Sequence, residues 1–161
     1  TAVEISRQIE HDISRYLFSI CMINAFFGMA IGIAMFLLGM PNPLLWGVMA
    51  GLLHFIPFLG ALVGIIIVTL VAAITLDGAG AILLVPATYF GLNIIEEYVA
   101  IPFVLGRRLM LNPVVLFVWL IFWGWLWSIP GALMAVPLLA IMKIVCDHVE
   151  PLGALGEFIA R

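Results

Sequence analysis

The sequence predicts an all-α fold, a polytopic transmembrane helical bundle in which two segments are broken by proline and glycine. Three observations predict it. The chain is 66% hydrophobic and 9% charged, against about 45–50% apolar and about 25% charged for an ordinary soluble domain. Its mean hydropathy is +1.30, more apolar side chain than 161 residues could hide from water. The third observation is length. Residues 114–143 carry no charge between their ends, and a straight helix that long overshoots a bilayer core of about 30 Å.

Residues 1–15 read as an amphipathic helix. Ile5, Ile9, Ile13, Tyr16 and Leu17 recur at intervals of three and four, and Glu4, Arg7, His11, Asp12 and Arg15 take the remaining positions. This is the pattern of a membrane-surface or juxtamembrane helix that runs into a span. That span is residues 16–38, uncharged throughout. Asn24 is its most polar member. Gly28 and Gly32 form a small-xxx-small face that permits close helix packing. Gly39-Met-Pro-Asn-Pro43 then predicts a tight turn.

Residues 44–75 are again too long for one crossing. Phe55-Ile-Pro-Phe-Leu-Gly60 divides them, and a broken hairpin is predicted. Residues 81–101 form the next span, with Pro86, Gly91 and Asn93 inside it and Glu96-Glu97 toward its end. Residues 114–143 form a second broken hairpin, with its corner at Ser128-Ile-Pro-Gly131. Each arm of about 14 residues is about 21 Å long, too short to cross alone. Irregular backbone at membrane depth is tolerated where it is buried in protein or lines a cavity. The polar exit at Lys143–His148 leads to a tail, 149–161. Together these make residues 1–161 one transmembrane domain, read as a piece of a longer chain.

Charge orients the segments. Arg107 and Arg108 mark their loop as cytoplasmic, and Arg7, Arg15 and Lys143 place both ends of the chain on the same side. These agree if each broken segment returns to the side it entered. Trp46-Gly47 before Ile56-Pro57 echoes Trp123-Gly124 before Ile129-Pro130. Span plus hairpin, repeated upside down, is a secondary-transporter design. Pairs of short full crossings satisfy the same parity.

Several of these segments carry a family likeness. Leu111-Asn-Pro-Val-Val-Leu-Phe117, Phe122-Trp-Gly-Trp-Leu-Trp-Ser-Ile-Pro-Gly-Ala-Leu-Met-Ala-Val-Pro-Leu138 and Ile144-Val-Cys-Asp-His148 resemble the C-terminal part of the autoinducer-2 exporter (AI-2E) family of bacterial transporters. Ile56-Pro-Phe-Leu-Gly60 and Glu96 with Ile101-Pro-Phe-Val-Leu-Gly106 match as well. The resemblance covers about residues 16–148. It implies a multi-pass permease of the bacterial inner membrane, of which this chain is the second half, after a soluble insertion. It also implies export of small polar solutes, among them the quorum-sensing signal autoinducer-2. Some family members exchange sodium or lithium for protons. Glu97 and His54 depart from the small residue and the Asn or Ser common at those positions.

Glu96 is the first candidate for a coupling site. A carboxylate deep in a span costs about 2.5–3.5 kcal/mol on insertion scales, so it usually faces a cavity or a partner. Its neighbour Glu97 repels it, which favours proton uptake by one of the two. The plainer alternative is an interfacial pair of acids solvated or matched by Arg107 or Arg108. Pro57, Gly60, Pro130 and Gly131 are the expected hairpin tips, where freed main-chain groups could hold a small polar or charged group. A packed kink would use the same residues. His54 could hydrogen-bond a polyol or shuttle a proton; a bond to a backbone carbonyl is equally consistent. Asn93 and Ser128 are candidate substrate hydrogen-bonders that also suit plain packing.

The tryptophans Trp123, Trp125 and Trp127 fit membrane-facing anchors. Lys143 and Asp147 are spaced for a local pair. Cys146-Asp147-His148 lacks the spacing of a metal site, since adjacent helical residues point apart. Cys21 and Cys146 read as buried free thiols. No nucleophile, metalloprotease or phosphate-loop motif is present, which argues against an enzyme, and no basic patch invites nucleic acid. A non-transporting scaffold would need no breaks. The expected partners are the lipid bilayer, a small polar solute, a proton or sodium ion, and the N-terminal half of the same chain; glycine-rich faces would allow a homo-oligomer. No cofactor or metal is expected.

Overall fold

The computed structural model describes residues 2–106, 110–149 and 152–160. Arg107 and Arg108, on which the topology argument leans, lie outside them. Every described element is helical: α1 (Ala2–Leu37), α2 (Pro43–Leu53), α3 (Leu59–Thr75), α4 (Ala79–Ile95), a π-helical turn (Glu96–Ala100), α5 (Ile101–Leu105), α6 (Pro113–His148) and α7 (Gly153–Ala160). Three stretches are long and apolar enough to cross a membrane: Val3–Leu37, Ala79–Leu105 and Pro113–His148. The amphipathic segment and the first span are thus one continuous rod. The described chain divides into two compact units, Cys21–Ile101 and a second made of Thr1–Ile20 with Pro102–Arg161, the boundary falling inside α1.

In the unit Cys21–Ile101, α1 and α2 cross at glycine. A Cβ on Gly28 would stand 2.6 Å from the Gly47 carbonyl oxygen, and one on Gly47 would stand 2.7 Å from that of Gly28. Gly32 and Gly51 extend the same seam. The small-residue face of α1 therefore meets a second one on α2, and the backbones touch. Asn42, in the left-handed region at φ 52, lets the turn reach α2, and Trp46 locks it by donating Nε1–H to the Pro41 carbonyl at 2.6 Å.

Segment 44–75 is divided where the proline predicts. α2 stops at Leu53, and Phe58 takes a positive φ of 61. The chain then reverses so sharply that a Cβ on Gly60 would collide with the Leu53 carbonyl. α3 packs back on α2 and on α4. Ile31, Met35, Ala50, Val68, Ala72, Val85 and Tyr89 form the fully buried centre of this unit.

In the other unit α6 is a hairpin of two arms. Asn112 caps the first arm, its Oδ1 accepting from Val114 N at 2.8 Å, with Pro113 in the first turn where its missing N–H costs nothing. Helical dihedrals fail at Ser128 alone, at φ 57 and ψ −135. Beyond it a Cβ on Gly131 would strike the Trp123 carbonyl, two helical turns earlier in sequence, so the arms fold back on each other. α7 ties the ends. Asn112 N–H donates to the Ile159 carbonyl at 2.7 Å, while Gly156 lies against Asp147 and Cys146.

Apart from the exposed Ile5, the apolar stripe of α1 is spent within this unit. Ile9, Ile13, Tyr16 and Leu17 pack with Ala140, Ile144 and Val136 of the second α6 arm. A stripe of this kind covers lipid or protein equally well in sequence; here it covers protein.

Candidate functional site

The candidate residues fall into two groups, one in each unit. His54, Pro57, Gly60, Asn93 and Glu96 belong to Cys21–Ile101, and Ser128, Pro130 and Gly131 to the other.

The first group makes a buried polar cluster. His54 caps α2 at the start of the hairpin turn. Asn93 and Glu96 lie about one turn apart near the end of α4 and face it. His54 Nε2 stands 2.7 Å from Glu96 Oε2 and 2.9 Å from Asn93 Nδ2. Glu96 is 5% exposed and so is not solvated, whereas Glu97 is exposed. The two adjacent acids thus have opposite environments.

The backbone sets this placement. Pro102 has no N–H for the Tyr98 carbonyl, and its ring crowds that oxygen. The helix widens in the turn before it: Ile101 N–H reaches back five residues, to the Glu96 carbonyl. Such π-helical turns recur at functional sites. Pro57 and Gly60 shape the tip beside His54, Gly60 by leaving room for the Leu53 carbonyl.

Aromatic rings close the cluster. Phe27 lies on His54 with centroids 3.9 Å apart and meets Tyr89 edge-on at 5.9 Å. Three buried polar atoms in this unit have no hydrogen-bond partner among the described residues: Asn24 Nδ2, His54 Nδ1 and Tyr89 Oη. Tyr89 and Phe27 each fit an ordinary apolar helix face, so the sequence carries no signal for them, and Asn24 stands out only as the most polar residue of its span.

The carbonyls of Leu52, Leu53, Ile56, Pro57 and Phe58 all accept backbone N–H groups within the turn. These five carbonyls are satisfied locally, because the turn is tight enough for short-range bonds. A separate groove of about 720 Å³ runs along α1 and α2, lined by Met29, Ile33, Phe36, Leu44 and Val48 among others. Its walls are apolar apart from Asn24, and the His54–Glu96 pair does not line it.

In the second group, Ser128 carries the left-handed kink, and Gly131 is buried against Trp123. Trp119, Trp123 and Trp127 form an edge-to-face ladder along the first arm, with centroids 5.8 and 5.7 Å apart. Trp125 points away and is 80% exposed. The Cys146-Asp147-His148 run is otherwise engaged. Asp147 takes the buried Lys143 ammonium at 2.6 Å, and His148 reaches Asp12 at 3.5 Å and the Ile144 carbonyl at 2.8 Å. Cys21 and Cys146 are both free thiols, but only Cys146 is buried, since Cys21 lies on an exposed face of α1.

Long apolar helices, two proline-broken hairpins and an ionisable cluster inside a span define a multi-pass helical membrane protein. The chain belongs to the AI-2E transporter family, whose model, described as AI-2E family transporter, matches residues 1–150. It is 32% identical over 144 residues to the AI-2 transport protein TqsA of Escherichia coli (strain K12), covering 89% of this chain and 41% of TqsA. It is 31% identical over 142 residues to YrrI of Bacillus subtilis (strain 168), covering 88% of this chain and 40% of YrrI. A Borreliella burgdorferi relative is 28% identical over 152 residues, covering 94% of this chain and 42% of its own length. The chain therefore spans about two fifths of the length of these relatives.

Proposed function

We propose that this chain supplies part of the translocation path of a secondary transporter in the bacterial inner membrane, one that exports small polar solutes, autoinducer-2 among them. The observation that carries the reading is the cluster of His54, Asn93 and Glu96, buried in an apolar unit beside a hairpin tip. Ionisable residues at such depth serve substrate and ion pathways more often than stability. The tips at Pro57 and Gly60 and at Ser128, Pro130 and Gly131 line the path in this reading, and Glu96 takes part in ion coupling. The name of TqsA supports the cargo class.

The test is solute efflux from cells making the full-length protein, with and without Gly131→Leu and Glu96→Gln. Efflux is expected to fall to background in Gly131→Leu and to lose its dependence on the ion gradient in Glu96→Gln. Normal gradient-driven efflux in both variants would refute the reading. A second reading, exchange of sodium or lithium for protons at Glu96, draws on the burial of that carboxylate. Ion exchange in vesicles without any solute would favour it.

A further inference from the structure

We propose that the groove between α1 and α2 seats one further transmembrane helix, drawn from the part of the full-length protein outside residues 1–161, and that Asn24 hydrogen-bonds an oxygen of that helix. The proposal stands on the geometry of the unit Cys21–Ile101 and not on what the protein carries.

The groove has the dimensions of a helix seat. It holds about 720 Å³ and follows α1 from Cys21 to Phe36, about 22 Å at 1.5 Å per residue. Its other wall runs along α2 from Pro43 to Leu52. Gly28, Gly32, Gly47 and Gly51 line it where the two helices touch, so bare backbone is presented there. Met29, Ile33, Phe36, Leu44 and Val48 line it as well, and every one is exposed. A ridge of side chains from another helix fills a groove of this kind, and small residues let its backbone come close.

Asn24 decides between a helix and a lipid chain. It lines the groove and is 5% exposed, and its Nδ2 has no hydrogen-bond partner among the described residues. Its place is the end toward the hairpin turn, where a Cβ on Gly51 would stand 3.0 Å from the Asn24 carbonyl. A half-turn of the amide exchanges its two ends, so either can meet an occupant. Asn24 lies inside the uncharged run 16–38, about 21 Å along the helix from Leu38. At that depth a bilayer offers hydrocarbon, and an unbonded amide is costly. An acyl chain has no oxygen to give there. A helix has one, on Ser, Thr, Asn or Gln, or on a carbonyl freed by a break. A lipid is also polar at the surface and apolar at depth, the reverse of this groove.

The relatives indicate where the helix comes from. This chain covers 41% of TqsA, 40% of YrrI and 42% of the Borreliella burgdorferi relative, which leaves about three fifths of each outside the match. A second copy fits less well. About a two-fold axis the same patch meets itself, which would set groove against groove and fill neither.

The experiment is photo-crosslinking of the full-length protein in bilayers. Met29→benzoylphenylalanine probes one wall and Val48→benzoylphenylalanine the other. Ile74→benzoylphenylalanine, on α3 outside the groove and 83% exposed in the wild type, is the control. Mass spectrometry is expected to find both groove probes attached to one and the same apolar segment of the same chain, from outside residues 1–161, with a yield several-fold above the control. The proposal is overturned by adducts to lipid, by a species of doubled mass that marks a second copy, by adducts within residues 1–161, by two different segments, or by no adduct. A second measurement uses the wild-type protein. The Asn24 side-chain amide signal in solid-state nitrogen NMR, identified through Asn24→Gln, is expected to be hydrogen-bonded and protected from deuterium exchange. A free or rapidly exchanging amide would overturn the role given to Asn24. Neither readout involves export, so the transporter reading keeps its own test.

Discussion

Gly64 lies directly under the hydroxyl of Tyr89: a Cβ placed on Gly64 would collide with Tyr89 Oη and crowd Cζ. The contact seats the fully buried Tyr89 ring against Phe27, and so holds one wall of the His54–Glu96 cluster.

Gly64→Ala should therefore destabilise the full-length protein by about 1–3 kcal/mol, the usual cost of overpacking a well-filled core. Tyr89→Phe removes the nearest atom and should recover part of that loss. Unfolding titrations of the two single variants and the double variant would read it, and strictly additive effects would contradict the contact.

Gly131 and Gly124 should behave oppositely. At Gly131 a methyl group meets the backbone of Trp123, so Gly131→Ala must move main chain. We expect a loss of at least about 3 kcal/mol or a failure to fold. At Gly124 the nearest atom, Ala132 Cβ, is 4.0 Å away. Gly124→Ala should be neutral or stabilising by up to about 1 kcal/mol, from the usual Gly-to-Ala gain in a helix. Thermal unfolding of both in the same detergent decides the matter.

The Lys143–Asp147 pair is asymmetric, its lysine buried and its acid partly exposed. Removing the acid strands a buried ammonium. Asp147→Ala should cost about 3–5 kcal/mol, and Lys143→Met far less, since methionine fills the same space without charge. Equal losses in denaturant titrations would show that the lysine is not buried.

Asn112→Ala should cost about 1 kcal/mol through loss of the α6 cap. Asn112→Asp should keep most of it, because the side-chain oxygen remains and sits favourably at a helix N-terminus. Melting temperatures of the pair check the order.

Much of this architecture was legible because proline and glycine act locally. Ile-Pro-Phe-Leu-Gly60 and Ser-Ile-Pro-Gly131 weaken a continuous helix, and both corners fall there. Glu96 could be singled out because a buried carboxylate is rare. Its pairing with His54 was not legible, since the two meet only after the hairpin folds. The π-helical turn was hidden as well: Pro102 was visible, but not the number of residues over which the helix would adjust. The stripe on residues 5–17 showed one apolar face without showing whether lipid or α6 covers it.

Residues 113–148 turn back at Ser128. The direct measurement is the distance between spin labels at Val114 and Val145, by pulsed electron resonance on the full-length protein in bilayers, with Cys21 and Cys146 replaced by serine. The eight-residue α7 bridges the two ends of α6, so a separation under about 25 Å is predicted, its own length being about 12 Å. A separation near 45 Å, that of an unbroken helix over this span at about 1.5 Å per residue, would contradict the account.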